Sequence, residues 1–280
     1  MVKGCFKKLL TGLLLSICFG VSAQTLTATY VEMVDSADYY IGKQMWTDAE
    51  NMIIKALKHE PANKSNFVLW SNLGIVRENQ ENFQGAVEAY TIGLSSAPKS
   101  TVLLTNRARA FLALDKPMLA LQDLETALAT DSTLQWPIKM RGLILATIGK
   151  NEEALKSLLS YEEKFGDDFA VSEVLGDIYA GKSDYEKSAQ AYRKALDMQD
   201  DEQLLNKALL TAYAYGKLDE WEERIRDGIK NHPRDAILYL LRAMLNKQKY
   251  QTDAYESDLK TALDLGVDKA LYEYLTKSKL

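Results

Sequence analysis

The chain predicts an all-α fold, a solenoid of helix pairs stacked in one direction. Three observations carry that prediction. The stretch from Phe67 to Ser100, FVLWSNLGIVRENQENFQGAVEAYTIGLSSAPKS, reads as two short amphipathic helices joined by a tight turn. Stepping forward by 34 residues repeats its pattern: Gly74 falls on Ala108, Gly142 and Gly176, Ala86 on Ala120, Ala154 and Ser188, and Tyr90 on Leu124, Leu158 and Tyr192. Small meets small and large apolar meets large apolar over four units without a gap, and self-similarity at that period marks a helical repeat array. Finally, no strand pattern, long linker or low-complexity segment interrupts the chain after residue 23.

The marks within a unit follow from packing. Two helices cross closely only where side chains are small, so Gly74 is expected to face the helix that carries Ala86, with Leu73 and Tyr90 filling the space around the crossing. Pro98 cannot continue a helix and ends the unit.

Taken in order, residues 1–23 read as a secretory signal peptide. Lys3, Lys7 and Lys8 precede an apolar run from Leu9 to Phe19, and Val21-Ser22-Ala23 offers small residues for cleavage before Gln24. The run is too short for a permanent bilayer span, so no integral membrane segment is expected after its removal. A lesser alternative is a lipoprotein anchored through Cys18, whose box Leu15-Ser16-Ile17-Cys18 has the large Ile17 where a small residue is wanted. Both cysteines, Cys5 and Cys18, lie in this segment, so the exported product has no thiol for a disulfide, a zinc site or nucleophilic attack. Removing the three lysines takes the formal charge from −5 to −8. An acidic product lacks the basic stripe that phosphate contacts need, so no nucleic-acid partner is expected. At 47% hydrophobic the chain can bury a sizeable core.

The first unit, about 30–63, carries Ala37, Trp46, Ala49, Ile53, Ala56 and Pro61 at an offset of 37 from the second, about 67–100, which predicts a three-residue loop insertion near Lys64-Ser65-Asn66. The third, 101–134, keeps Leu104, Ala108, Ala120, Leu124 and Ala127, with Pro117 placed to start its second helix. The fourth, 135–168, has Ile138, Gly142, Ala154 and Leu158, with Gly149-Lys150-Asn151 as its turn. The fifth, about 169–201, carries Leu175, Gly176, Tyr185, Tyr192 and Ala195. The sixth, about 202–235, is degenerate: Leu209 and Trp221 stand where small residues belong, which implies a wider crossing or a local change of register. The seventh, 236–269, recovers with Tyr239, Ala243, Leu259 and Ala262. Residues 268–280 read as a capping helix, with Asp268 at its start and Leu271, Tyr274 and Leu275 as an apolar stripe that covers the last exposed face.

Trp70, Leu73, Gly74, Phe83, Ala86, Tyr90, Gly93 and Pro98 resemble the pattern of the tetratricopeptide repeat (TPR) family, here of an exported bacterial type. The resemblance covers nearly all of residues 24–280 and is strongest from Phe67 to Ala195. It implies a right-handed αα-superhelical solenoid of about seven helix pairs plus the capping helix, forming a single domain. It also implies a non-catalytic, cofactor-free scaffold that binds a peptide or protein in a concave groove lined by the first helices.

On that resemblance the inward positions line up by the 34-residue step. Asn72, Asn106, Met140 and Val174 form one row, Ile75, Arg109, Leu143 and Asp177 a second, Ser71, Thr105, Lys139 and Glu173 a third, and Val68, Val102, Trp136 and Ala170 a fourth. The candidate partner-binding residues are Asn72, Asn106, Arg109, Trp136, Lys139, Met140, Glu173 and Asp177. Some TPR proteins hold a terminal carboxylate with a clamp of Lys, Arg and Asn. Only Asn106 matches that clamp here, so its function does not carry over. Metal and acid–base chemistry find no constellation: His59 and His232 sit near helix ends, where a cation suits the dipole, and Glu152-Glu153 and Asp167-Asp168 read as solvated helix starts. The alternative to a protein scaffold is a glycan-binding accessory module of a cell-surface uptake system.

Overall fold

The computed structural model describes residues 28–277, and the signal-peptide reading, with Cys5, Cys18 and the site before Gln24, lies outside the described residues. Fourteen helices form seven successive pairs. These are α1 (Ala28–Gly42) with α2 (Trp46–His59), α3 (Asn66–Asn79) with α4 (Phe83–Ser96), α5 (Thr101–Ala113) with α6 (Pro117–Thr130), and α7 (Gln135–Thr147) with α8 (Asn151–Phe165). They continue with α9 (Phe169–Gly181) and α10 (Tyr185–Met198), α11 (Glu202–Ala214) and α12 (Glu222–Asn231), and α13 (Ala236–Gln248) and α14 (Thr252–Asp264); α15 (Lys269–Lys277) follows. No strand occurs among the described residues, and no helix of theirs is long and apolar enough to cross a membrane. The fold is the predicted αα solenoid.

The turn inside every pair is the same backbone device. One residue is left-handed in each: Gln44, Glu81, Asp115, Gly149, Ser183, Gly216 and Tyr250, with φ from 55° to 78°. The next residue's N–H returns to the first helix, as Asn82 does to the Arg77 carbonyl at 2.8 Å and Gln251 to that of Asn246 at 2.9 Å. This is the hydrogen-bonded ending that a left-handed residue allows a helix. The steps between these residues are 37, then 34 three times, then 33 and 34, so the backbone alone reproduces the period. The extra residues of the first step lie between α2 and α3, as predicted. There Asn66 donates to the Glu60 carbonyl at 2.7 Å and accepts from the Tyr30 hydroxyl at 2.9 Å.

Each pair crosses at its small residue. A Cβ built on Gly74 would stand 2.2 Å from the Tyr90 ring, on Gly176 2.3 Å from the Tyr192 ring, and on Gly142 2.5 Å from Leu158. Ala37 with Ile53 and Ala108 with Leu124 occupy the same places, all fully buried. The sixth unit changes register as the sequence implied. A 3₁₀ turn, Leu218–Trp221, precedes α12, which starts after Trp221 and is ten residues long. Delaying the helix turns the buried indole into its entry, where the Arg193 guanidinium lies 4.8 Å from the ring centre.

Sequence reading missed a second packing device. At the place of Leu73, three units carry Arg107, Arg141 and Arg242. Arg107 grips Asp123 with two hydrogen bonds of 2.8 and 2.7 Å, Arg242 grips Asp258 at 2.8 and 2.6 Å, and Arg141 reaches Ser157. Both aspartates are buried, so these forks replace apolar filling at the crossing and satisfy the acid's lone pairs. The legible signal was an arginine and an acid 16 residues apart at equivalent places in two units.

The tail forms the expected last helix. It lies against α13 and reaches α11 through the Tyr213 hydroxyl bond to the Leu275 carbonyl. The reason lies in the turn. The second helices α2, α4, α6, α10 and α12 leave through a residue with φ between −123° and −149°, and α8 through Gly166, whose φ is 84° but whose ψ of −170° is extended. In contrast α14 ends with Gly266 at φ 82° and a Val267 N–H bond to the Ala262 carbonyl, the reversal used elsewhere between first and second helices. The outer side of α14 is mostly polar and needs no cover, whereas Leu275, Leu271 and Tyr272 join the last apolar cluster.

Candidate functional site

The first helices form one face: α3 meets α5, α7 meets α9, and α11 meets α13. The positions read as inward lie on these helices, and most are already engaged within the protein. Arg109 donates through Nε to Glu78 Oε2 at 3.1 Å and through Nη2 to Asn106 Oδ1 at 3.0 Å, while the Tyr90 hydroxyl donates to Glu78 Oε1 at 2.9 Å. The Tyr192 hydroxyl donates to Asp177 Oδ1 at 2.7 Å, and Lys207 bridges Asp177 and Glu173 at 3.1 and 3.2 Å.

These two clusters share one construction. The glycine of the crossing, Gly74 or Gly176, leaves room for a tyrosine ring from the second helix to pass beneath the first. Its hydroxyl emerges at the inner face and holds a carboxylate, which takes a cation from the following unit, Arg109 or Lys207. Burial first, then the neighbouring Glu78 charge, pushes the Tyr90 hydroxyl well above its ordinary pKa; burial and the hydrogen bond to Asp177 do the same to Tyr192. Burial works against the Lys207 ammonium, yet its bonds to Asp177 and Glu173 hold its pKa above the usual lysine value. Glu78 and Lys207 were absent from the sequence-derived site. Glu78 lies one turn beyond Ile75, and Lys207 continues the row of Asn72 and Asn106 at the 33-residue step of the sixth unit.

Lys139 donates to Asp168 Oδ2 at 2.6 Å, and Asp168 also caps α9 by accepting from the Val171 N–H. Asn206 repeats this contact two units later, donating to Asp235 at 2.6 Å, the cap of α13. Trp136 and Met140 are half-buried against the cluster that includes Ile138 and Leu145, so they are partly core rather than free apolar anchors. Asn72 is half-buried on α3, two units from Met140 in its row. A recess of about 260 Å³ opens between α7 and α9, with Ala146, Thr147 and Val174 on its walls and Asp177 at its rim. His59 closes α2 and His232 follows α12. Among the described residues no three His, Cys, Asp or Glu side chains are grouped to hold a metal ion.

Comparison with known proteins gives a consistent picture. Residues 139–202 match the tetratricopeptide repeat family. The chain is 35% identical over 89 residues to the TPR repeat-containing thioredoxin TDX of Arabidopsis thaliana and 31% identical over 91 residues to a FAM10 family protein of the same plant. It spans only 23% and 21% of the length of those two proteins. Among solved structures, a tetratricopeptide repeat protein from Parabacteroides merdae aligns with a TM-score of 0.61 at 24% identity, covering 90% of this chain and 98% of that one. YrrB, described as a TPR protein with an unusual peptide-binding site, aligns at 0.56 with 22% identity over 62% of this chain and 89% of its own. At these identities the structural likeness speaks for fold alone. A 34-residue period, a matching stretch of sequence at residues 139–202 and a shared fold over most of the chain converge on one architecture, the helix-pair solenoid of tetratricopeptide repeat proteins.

Proposed function

We propose that the protein is a non-catalytic adaptor that holds a segment of a partner protein along the inner face from α3 to α11. The observation that carries this reading is the contrast along that face. Asn72, Arg109, Lys139, Glu173, Asp177 and Lys207 remain part-exposed and of mixed charge, beside the recess between α7 and α9. A polar, half-exposed strip of alternating sign suits the main chain and charged side chains of an extended peptide. The peptide-binding site named for YrrB supports the same reading. A thioredoxin-like activity, suggested by one relative's name, has no support, because a redox motif needs two cysteines three positions apart and Cys5 and Cys18 are the chain's two.

The test is recovery of a partner from envelope extract by wild-type and variant protein, with circular dichroism melting alongside. Arg109→Ala is expected to weaken recovery by about 1–3 kcal/mol with helical content unchanged. Trp136→Ala is expected to melt early because the ring is half core. Full recovery by a normally melting Arg109→Ala chain removes Arg109 from the site, and selective binding on a glycan array would replace the protein partner with a sugar.

We further propose that this adaptor acts outside the cytoplasm, in the periplasm or at the cell envelope, with its mature chain starting at Gln24. The charged start, apolar run and Val-Ser-Ala site support this. Intact mass of the native protein tests it: a mass beginning at Met1 sinks the export reading, and a diacylated Cys18 replaces it with a lipoprotein.

A further inference from the structure

The inner face changes character at its C-terminal end. The places held by Asn206, Lys207 and Leu210 in α11, all part-exposed, are held in α13 by Leu240, Leu241 and Met244, each 0% exposed. What covers them is α15. Leu275 is wholly buried in their cluster, with Leu271 and Tyr272 packed at its margin. Two polar groups meet the end of that helix: the Tyr213 hydroxyl of α11 donates to the Leu275 carbonyl at 3.2 Å, and Lys247 of α13 reaches the Thr276 carbonyl at 3.5 Å.

We propose that the inner faces of α11 and α13 form a helix-binding site, that α15 is its built-in occupant, and that a partner's short amphipathic helix takes the site when α15 lifts. The chemistry of the partner is read from the occupant. It is a helix with large apolar side chains four residues apart, the spacing of Leu271 and Leu275, whose last turn ends against Tyr213 and Lys247. The last carbonyls of any helix have no partner within it and carry partial negative charge, so a hydroxyl and an ammonium at that point recognise a helix C-terminus rather than a strand. The apolar floor supplies the remaining affinity without a charge pattern, which distinguishes it from the polar strip between α3 and α11.

The occupant is built to leave. At nine residues α15 is shorter than a helix that holds its shape alone in water. It follows the reversal at Gly266, and of its side chains only Leu275 is fully buried. Its conformation therefore depends on the floor beneath it, and its opening leaves the seven pairs intact. The proposal meets the adaptor strip only at α11, where it uses Tyr213 rather than Lys207, and it stands or falls separately from that strip.

Two measurements on the full chain test it. In hydrogen–deuterium exchange, the α15 amides are expected to exchange at least a hundredfold faster than those of α13, through an opening that leaves α13 protected. Exchange of both helices only on global unfolding would make α15 an integral part of the array and overturn the proposal. The second uses a fluorescein-labelled peptide of residues 268–277 and anisotropy. A chain carrying Leu275→Asp is expected to bind that peptide at least tenfold more tightly than the wild-type chain, and a peptide with the same change is expected not to bind. Equal affinity for both chains would refute the competition. A wild-type dimer that forms with rising concentration by exchanging α15 would overturn intramolecular occupancy in favour of a swap.

Discussion

Replacing Gly176 by Ala isolates what the small residue at a crossing does. Ala in a helix interior is better than Gly by about 0.5–1 kcal/mol, so on propensity alone the change stabilises. Packing opposes it. The new Cβ would lie 2.3 Å from Tyr192 Cε1 and 2.4 Å from Cδ1, whereas carbon atoms rest about 3.5–4 Å apart. The ring must retreat by more than an ångström. It is buried and its hydroxyl is tied to Asp177 at 2.7 Å, so the movement also breaks a hydrogen bond, worth about 1 kcal/mol. Overpacking costs about 1–3 kcal/mol, and the balance is a net destabilisation of about 1–3 kcal/mol.

The molecule contains its own control. Gly stands opposite Tyr in two units, at Gly74 with Tyr90 and Gly176 with Tyr192, while Ala stands opposite an aliphatic residue at Ala37 with Ile53 and Ala108 with Leu124. Gly142 with Leu158 mixes the two. There the Cβ meets the flexible end of a leucine at 2.5 Å, and the Ala108 pair shows that such a leucine finds a position beside Ala. Gly142→Ala is therefore expected to fall within about 1 kcal/mol of wild type, the propensity gain offsetting the repacking. Gly176→Ala with Tyr192→Leu recreates the Ala108–Leu124 pair, so the double variant should be more stable than the sum of its parts by at least about 1 kcal/mol. Urea and thermal melts followed by circular dichroism read wild type and the four variants, Tyr192→Leu alone included. A Gly176→Ala chain that melts at or above wild type, or strict additivity in the double variant, would refute the crossing argument.

The arginine forks make a contrasting prediction: Arg107→Leu restores the side chain found at the equivalent Leu73 but strands Asp123, only 4% exposed, at a cost of about 3–5 kcal/mol. Adding Asp123→Leu should recover most of that loss in the same melts, because an apolar pair replaces a buried ion pair at little cost, and failure to recover would show that the fork itself is required. Alkaline stability tests the two buried tyrosines, whose pKa values are raised above the unfolded value of about 10. Their contribution is complete below pH 10 and is lost as pH rises toward the folded-state pKa, since the unfolded chain releases both protons first; the linked slope is about 1.4 kcal/mol per pH unit for each. Tyr90→Phe with Tyr192→Phe should thus flatten the fall in stability between pH 10 and 11.5 by up to about 2.7 kcal/mol per unit, and an unchanged slope in urea titrations would place these hydroxyls in water.

What the sequence displayed and what it concealed divide along a physical line. The pairs, their period and their crossings were legible because they are set by side-chain size at fixed spacing, as Gly74 and Tyr90 show. The turns were less so: five of the seven left-handed residues are Gln44, Glu81, Asp115, Ser183 and Tyr250, held there by the packing of the helices on either side rather than by a glycine. The tail's direction was written in Gly266, a signal that the apolar stripe of the last helix does not carry. The candidate groove residues lay on the expected helices, but their mutual bonds were concealed because they run across elements. Arg109 is placed by Glu78, which is placed by Tyr90, which is admitted by Gly74.

That chain of contacts joins the fold to its surface. A unit with Gly opposite Tyr delivers a hydroxyl to the inner face and fixes a carboxylate there. A unit with Ala opposite Leu delivers nothing, and its inner positions depend on neighbours. The charge pattern of the inner face is therefore written partly in the core. A substitution at Gly74 or Gly176 reaches that face without touching it, by moving the ring that holds Glu78 or Asp177 in place.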